Sequence, residues 1–181
     1  PNFWGFVWQG AAYEGLTCCA QEWLLSHGAP LWIEESGIGI RHPRSIHALK
    51  RAAAWVGDIS PPSVTVYMEV DALNQWLAGN AAFLRGWSNT LAVSNSPTSK
   101  LRGVVAVAEL PADQGPQVST LGGWHLAISR YSRSPQKAID LVRHITNRAA
   151  QRRRVLEVGF MPTDLNLYED MELQERVPFL H

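Results

Sequence analysis

The chain has 181 residues, 46% of them hydrophobic, which is enough for one ordinary domain with a buried core or for one and a half lobes of something larger. Its 16 basic and 16 acidic residues cancel, so charge gives no case for a nucleic-acid or acidic partner. No run reaches the ~18 apolar residues of a membrane-spanning helix, and no stretch reads as a signal segment.

Phe3 to Trp8 alternates aromatic and small residues and predicts a strand. Gln9 to Ala12 follows as a loop. A helix is expected from Tyr13 or Glu14 to His27, with Leu16, Ala20, Trp23 and Leu24 on one face and Gly28 as its left-handed cap. It carries the adjacent Cys18 and Cys19. Helical neighbours point about 100° apart, so these read as buried thiols and not as a disulfide. Leu31 to Ile33 reads as a short strand, and Glu34 to Arg41 as a turn between short strands.

Pro43 to Val56 predicts a helix capped by Ser45, with Ile46, Leu49, Ala53 and Val56 inward. Ile59 to Val64 contains two prolines and reads as a loop. Tyr67 to Leu77 is amphipathic, with Met68, Ala72, Leu73, Trp76 and Leu77 apolar, and Gly79 closes it. Ala81 to Leu84 is a short strand leading into Arg85-Gly86-Trp87. Asn95 to Lys100 reads as a polar loop and Val104 to Ala108 as a buried strand. Ser134-Pro135 starts a helix with Ala138, Ile139, Leu141, Val142 and Ile145 inward. Asn147 to Leu156 is a further helix, which Gly159 to Thr163 breaks, and Leu167 to Val177 is helical and acidic. Helices alternating with short strands imply a layered α/β architecture.

The stretch Leu121-Gly122-Gly123-Trp124-His125-Leu126-Ala127-Ile128-Ser129 organises this pattern. A glycine pair lets the backbone bend and lets a ligand approach main-chain amides. A tryptophan on that bend, leading into an alternating strand, suits the apolar face of a sugar ring. It equally suits a core residue capping the strand. The eight tryptophans fit either a carbohydrate-handling surface or an aromatic core.

No catalytic or metal motif emerges. Gly37-Ile38-Gly39 lacks the third glycine and the following helix of a phosphate loop. His42 and His47 do not share a helical face, and no nucleophile elbow occurs. Glu34-Glu35 would point to opposite faces of an extended chain, which is unsuited to paired-carboxylate chemistry. Arg152 to Arg154 reads as a solvated helical face. No cofactor, metal or catalytic residue is therefore expected. The two ends, Pro1 without a methionine and the apolar Val177-Pro178-Phe179-Leu180-His181, read as those of a fragment.

Four segments together resemble the extracellular solute-binding proteins of sugar ABC transporters, in the trehalose/maltose-binding branch. They are Gln9-Gly10-Ala11-Ala12-Tyr13-Glu14-Gly15-Leu16-Thr17, Gly79-Asn80-Ala81-Ala82-Phe83-Leu84-Arg85-Gly86-Trp87, Leu121 to Ser129, and Gly159-Phe160-Met161-Pro162-Thr163 with Leu167-Tyr168-Glu169-Asp170. The resemblance implies a type II periplasmic-binding-protein-like α/β fold of two lobes that close on a sugar. Residues 1–181 would be a single α/β lobe-like domain, mostly the C-terminal lobe, without the N-terminal lobe and the C-terminal tail. It also implies a non-enzymatic protein that hands a disaccharide such as trehalose or maltose to a membrane permease. Such a protein is periplasmic or extracellular, and membrane-associated in its full-length form.

Carried over residue by residue, the resemblance implies that Trp87 and Trp124 form aromatic walls and that Gly122 and Gly123 supply backbone donors. Tyr13 and Glu14 would stand at the cleft edge. Trp8 and Gln9 match less well, and Arg85 reads as a surface arginine. Two other classes remain open: a carbohydrate-active enzyme fragment, for which no carboxylate pair can be named, and a structural module in which the exposed half-cleft of the truncated chain self-associates as a homo-oligomer.

Overall fold

The computed structural model describes residues 3–33, 37–177 and 180. The chain divides into two units, Pro1–Gly86 with Thr98–Leu121, and Trp87–Pro97 with Gly122–His181.

Unit 1 is built on a two-stranded parallel sheet. Strand β1 (Trp4–Val7) lies beside β4 (Ala81–Leu84), with Trp4 opposite Ala81, Phe6 opposite Phe83 and Val7 opposite Leu84. Between them in sequence run α1 (Glu14–Ser26), the antiparallel pair β2 (Trp32–Ile33) and β3 (Gly37–Ile38), α2 (Pro43–Trp55) and α3 (Glu69–Leu77). The main core joins Val7, Trp8, Cys19, Val64, Tyr67 and Ala72. An edge-to-face ladder crosses it: Trp8 on Trp23 at 4.9 Å, Trp23 on Trp55 at 5.5 Å, and Trp55 on Phe6 at 5.7 Å between ring centroids. A smaller cluster of Leu24, Ala29 and Ala48 joins α1 to α2.

Unit 2 is helical, with α4 (Thr90–Ser94), α5 (Pro135–Thr146), α6 (Arg148–Val158) and α7 (Met171–Arg176). Its core is Val155, Leu167, Leu173, Val177 and Leu180. Asn147 caps α6, its side chain accepting from the Ala150 amide at 2.8 Å. Gly159 ends α6 at φ 76°, where a Cβ would also sit 3.0 Å from Ala92. The three consecutive arginines are partnered within the unit. Arg152 pairs with Asp170 and Glu172, Arg153 with Glu157, and Arg154 donates to the Ile145 carbonyl. The Arg152 guanidinium holds the Asp170 carboxyl below its ordinary value, and Asp170 also caps α7 by accepting from the Glu172 and Leu173 amides.

Several expectations need correction. The α2 cap is His42, whose ring accepts from the Arg44 amide, because Pro43 already occupies the first helical position. Ser45 is instead buried and donates to the Gly39 carbonyl at 2.7 Å. The inward stripe is therefore Ser45, Ala48 and Ala52, with Ile46 and Ala53 exposed. Pro62–Val66 is a 3₁₀ turn and not a loop. Leu167 to Val177 is two pieces, a 3₁₀ turn over Leu165–Glu169 and then α7, split where Asp170 caps the second. Leu141 lies outward on α5. Neither Val104 to Ala108 nor Leu121 to Ser129 is a strand, and Val104, Val107, Leu121 and Trp124 are exposed. An apolar run or an alternating one suits a strand but does not supply the neighbour that must take its N–H and C=O groups, and neither segment has one among the described residues. Glu34 and Glu35 lie outside the described residues.

The thiol expectation holds: Cys18 and Cys19 are free and buried. Burial pushes both up to about 11 from an ordinary value of 9.0, reinforced at Cys18 by the Glu14 carboxylate. The unfolded chain then sheds these protons first, so stability should fall as pH rises from about 9 through about 11. Urea midpoints across that range should decline less steeply in a variant carrying Cys18→Ala and Cys19→Ala; equal slopes in both chains would contradict the assignment. In unit 2, Leu173 is fully buried, and Leu173→Ala should cost ~2–5 kcal/mol in urea unfolding followed by circular dichroism.

Candidate functional site

Tyr13 immediately precedes α1 in extended backbone. Its ring lies over Gly15, where any Cβ would run into the phenol. Burial, with Glu69 beside it, holds that phenol above its ordinary value, so it stays neutral. Glu14 opens α1, where a carboxylate suits the positive end of the helix dipole. One of its oxygens accepts from the Cys18 thiol at 3.0 Å, and the residue is otherwise exposed.

In unit 2, Trp87 and Gly122 are brought together across 35 positions of sequence. A Cβ at Gly122 would stand 2.8 Å from one carbon of the Trp87 ring and 3.0 Å from the next, so only glycine allows this approach. Trp87 is half-buried, and its carbonyl accepts from the Thr90 amide as the chain enters α4. Gly123 has open space around it. Trp124 is 97% exposed and is not a core residue. The structure thus gathers Tyr13 with Glu14 in one unit, and Trp87 with Gly122 in the other.

The weaker candidates prove to be structural. The Trp8 indole N–H donates to Ser60 inside the core. Gln9 is fully buried, donating to the Arg85 carbonyl at 3.0 Å and accepting from the Arg85 guanidinium at 3.3 Å. Arg85 is not a surface residue. It is 4% exposed, as is Glu22, and the two form a two-pronged ion pair at 2.6 and 3.0 Å. Burial works against the Arg85 charge, yet the Glu22 hydrogen bonds and charge outweigh it and hold the guanidinium above its ordinary value. Glu22 also accepts from the Thr120 amide at 3.0 Å. Sequence reasoning missed this cluster. A cue was present, since Glu22 lies three and four positions after the buried Cys19 and Cys18, on their face of α1.

Cavities lie elsewhere in unit 1. One of about 350 Å³ is lined by Tyr67, Asp71, Asn74 and Gln75, and one of about 700 Å³ by residues around Trp32 and Ile38. Neither is lined by Tyr13, Glu14, Trp87, Gly122, Gly123 or Trp124. Among the described residues no cluster of His, Cys, Asp or Glu could hold a metal ion, and no helix is long and apolar enough to cross a membrane.

The chain superimposes on a maltose-bound T. maritima MalE3 with a TM-score of 0.93 and 36% identity, over 98% of this chain and 47% of that one. It also matches a Thermotoga lettingae TMO solute-binding protein bound to α-D-tagatose, with a TM-score of 0.83 and 24% identity, over 96% of this chain and 45% of that one. The chain has the α/β periplasmic-binding-protein-like fold and spans roughly half of those structures.

By sequence it is 41% identical, over 99% of its length, to a probable ABC transporter-binding protein of Deinococcus radiodurans, of which it spans 43%. It is therefore similar to a segment of an ABC-transporter solute-binding protein, a class of binding proteins and not of enzymes. No protein-family model matches the chain.

The packing at Gly122 gives a local test. Gly122→Ala should displace the Trp87 ring, shifting tryptophan emission and lowering the urea midpoint, whereas Gly123→Ala should leave both unchanged. Equal effects of the two substitutions would contradict the described contact.

Proposed function

We propose that the chain is the lobe-like part, residues 1–181, of a sugar-binding protein that delivers a disaccharide such as trehalose or maltose to an ABC-transporter permease, outside the cytoplasm. The observation that carries this reading is the 41% identity to the Deinococcus radiodurans transporter-binding protein, together with the likeness to a maltose-bound structure. In it, Trp87 and Trp124 stack on sugar C–H faces, the Gly122 and Gly123 amides donate to hydroxyls, and Tyr13 and Glu14 supply polar partners. A neutral polyhydroxyl ligand asks for flat aromatic surfaces and a few placed donors and acceptors. It needs no cofactor and no perturbed catalytic group.

Isothermal titration of the full-length parent with trehalose, maltose and related disaccharides should give saturable heat for at least one. No heat for any of them would overturn the reading. Trp87→Ala and Trp124→Ala should each weaken that binding by about tenfold, the scale expected for loss of one stacking face.

A second reading, self-association of the 181-residue chain, is favoured by Leu121, Trp124 and Tyr131, whose side chains stand almost wholly in solvent. Sedimentation velocity at two concentrations should show a concentration-dependent dimer that Trp124→Ser abolishes. A monomer at both concentrations would remove this reading.

A further inference from the structure

The backbone leaves unit 1 after Gly86 and again after Leu121. The residues just before these exits, Arg85 and Thr120, converge on one side chain. Glu22 Oε1 accepts from Arg85 Nη2 at 2.6 Å and from the Thr120 amide at 3.0 Å, while Glu22 Oε2 accepts from Arg85 Nε at 3.0 Å. Each exit is also tied to its neighbours. The Arg85 amide donates to the Val7 carbonyl at 3.0 Å, and the Arg85 carbonyl accepts from Gln9. The Thr120 hydroxyl donates to the Cys18 carbonyl at 3.3 Å. Glu22 itself is carried by α1, the helix that contributes Cys19, Trp23 and Leu24 to the two cores of this unit.

We propose that Glu22 is a positioning residue that yokes the two exit segments, Arg85 to Trp87 and Thr120 to Trp124, to a single carboxylate on α1. One oxygen serves both segments, so a change in its orientation is felt at both. A bidentate arginine fork fixes the carboxylate plane, and that plane sets where the remaining lone pair of Oε1 meets the Thr120 amide. Burial removes the competing water that would otherwise let each segment find its own partner. Both segments carry residues of the proposed sugar site: Trp87 two positions beyond Arg85, and Gly122 to Trp124 beyond Thr120. The consequence for ligand affinity rests on the sugar-binding reading; the yoke itself does not.

The test is amide exchange by NMR on the full 181-residue chain. Glu22→Ala strips both exits at once and leaves Arg85 buried without its counter-charge, so the decisive variant is Arg85→Lys. It keeps the positive charge, leaves Glu22 in place to accept from Thr120, and removes only the two-pronged grip. Exchange at the Thr120 amide should quicken by about tenfold or more, while Ala48 and Ala52 in α2 of the same unit keep their wild-type rates. An unchanged Thr120 rate would overturn the proposal, as would an increase shared equally by Ala48 and Ala52, which marks general loosening. In the full-length parent, Arg85→Lys should also weaken sugar binding by about tenfold without lowering the thermal midpoint to match. If the wild-type parent binds no sugar, the sugar reading fails and the exchange rates still decide the yoke.

Discussion

Unit 1 depends on one buried ion pair. Two charges at 4% exposure are costly to desolvate, and each is tolerable only because the other lies within hydrogen-bonding distance. The pair also satisfies its surroundings: Gln9 gives and accepts a hydrogen bond with Arg85, and Thr120 donates to Glu22. Val7 of β1 and Gln9 just beyond it bond Arg85, which directly follows β4, and α1 joins through Glu22. The salt bridge thus specifies how the small sheet, the first helix and the segment ending at Leu121 meet. A two-stranded sheet has little stability of its own, so this specification matters more here than it would in a larger sheet.

Much of the local structure was legible. The ends of α1 followed from Glu14 and the left-handed Gly28, those of α5 and α6 from Pro135, Asn147 and Gly159, and β1 and β4 from short apolar runs. What failed were inferences needing a partner from elsewhere. Val104 to Ala108 has the continuous apolar run of a buried strand and Leu121 to Ser129 the alternation of a half-buried one, but no described strand lies beside either. Ser45 has the chemistry of a cap, yet Pro43 starts the helix two positions earlier and turns the serine into the interior.

The candidate site shows the same division. Gly122 and Gly123 look alike in sequence, but only Gly122 is required, because the Trp87 ring lies against it. The tryptophan excess likewise splits. Trp8, Trp23 and Trp55 form the aromatic ladder of unit 1, while Trp124 and Trp32 stand in solvent. Composition reports how many such rings there are and not which of them a core consumes. The resemblance carried the assignment of class, and the packing then decided which residues it could use: Trp8, Gln9 and Arg85 are spent on the interior.

The measurement that bears most directly on this account is a double-mutant cycle in urea on Glu22→Leu, Arg85→Met and the pair together. The account predicts that each single change costs ~3–5 kcal/mol, by leaving an uncompensated buried charge, and that the double change costs less than their sum by ~2 kcal/mol or more. Costs that add to within ~0.5 kcal/mol would mean that the two charges act independently, and that the buried pair is not what holds unit 1 in register.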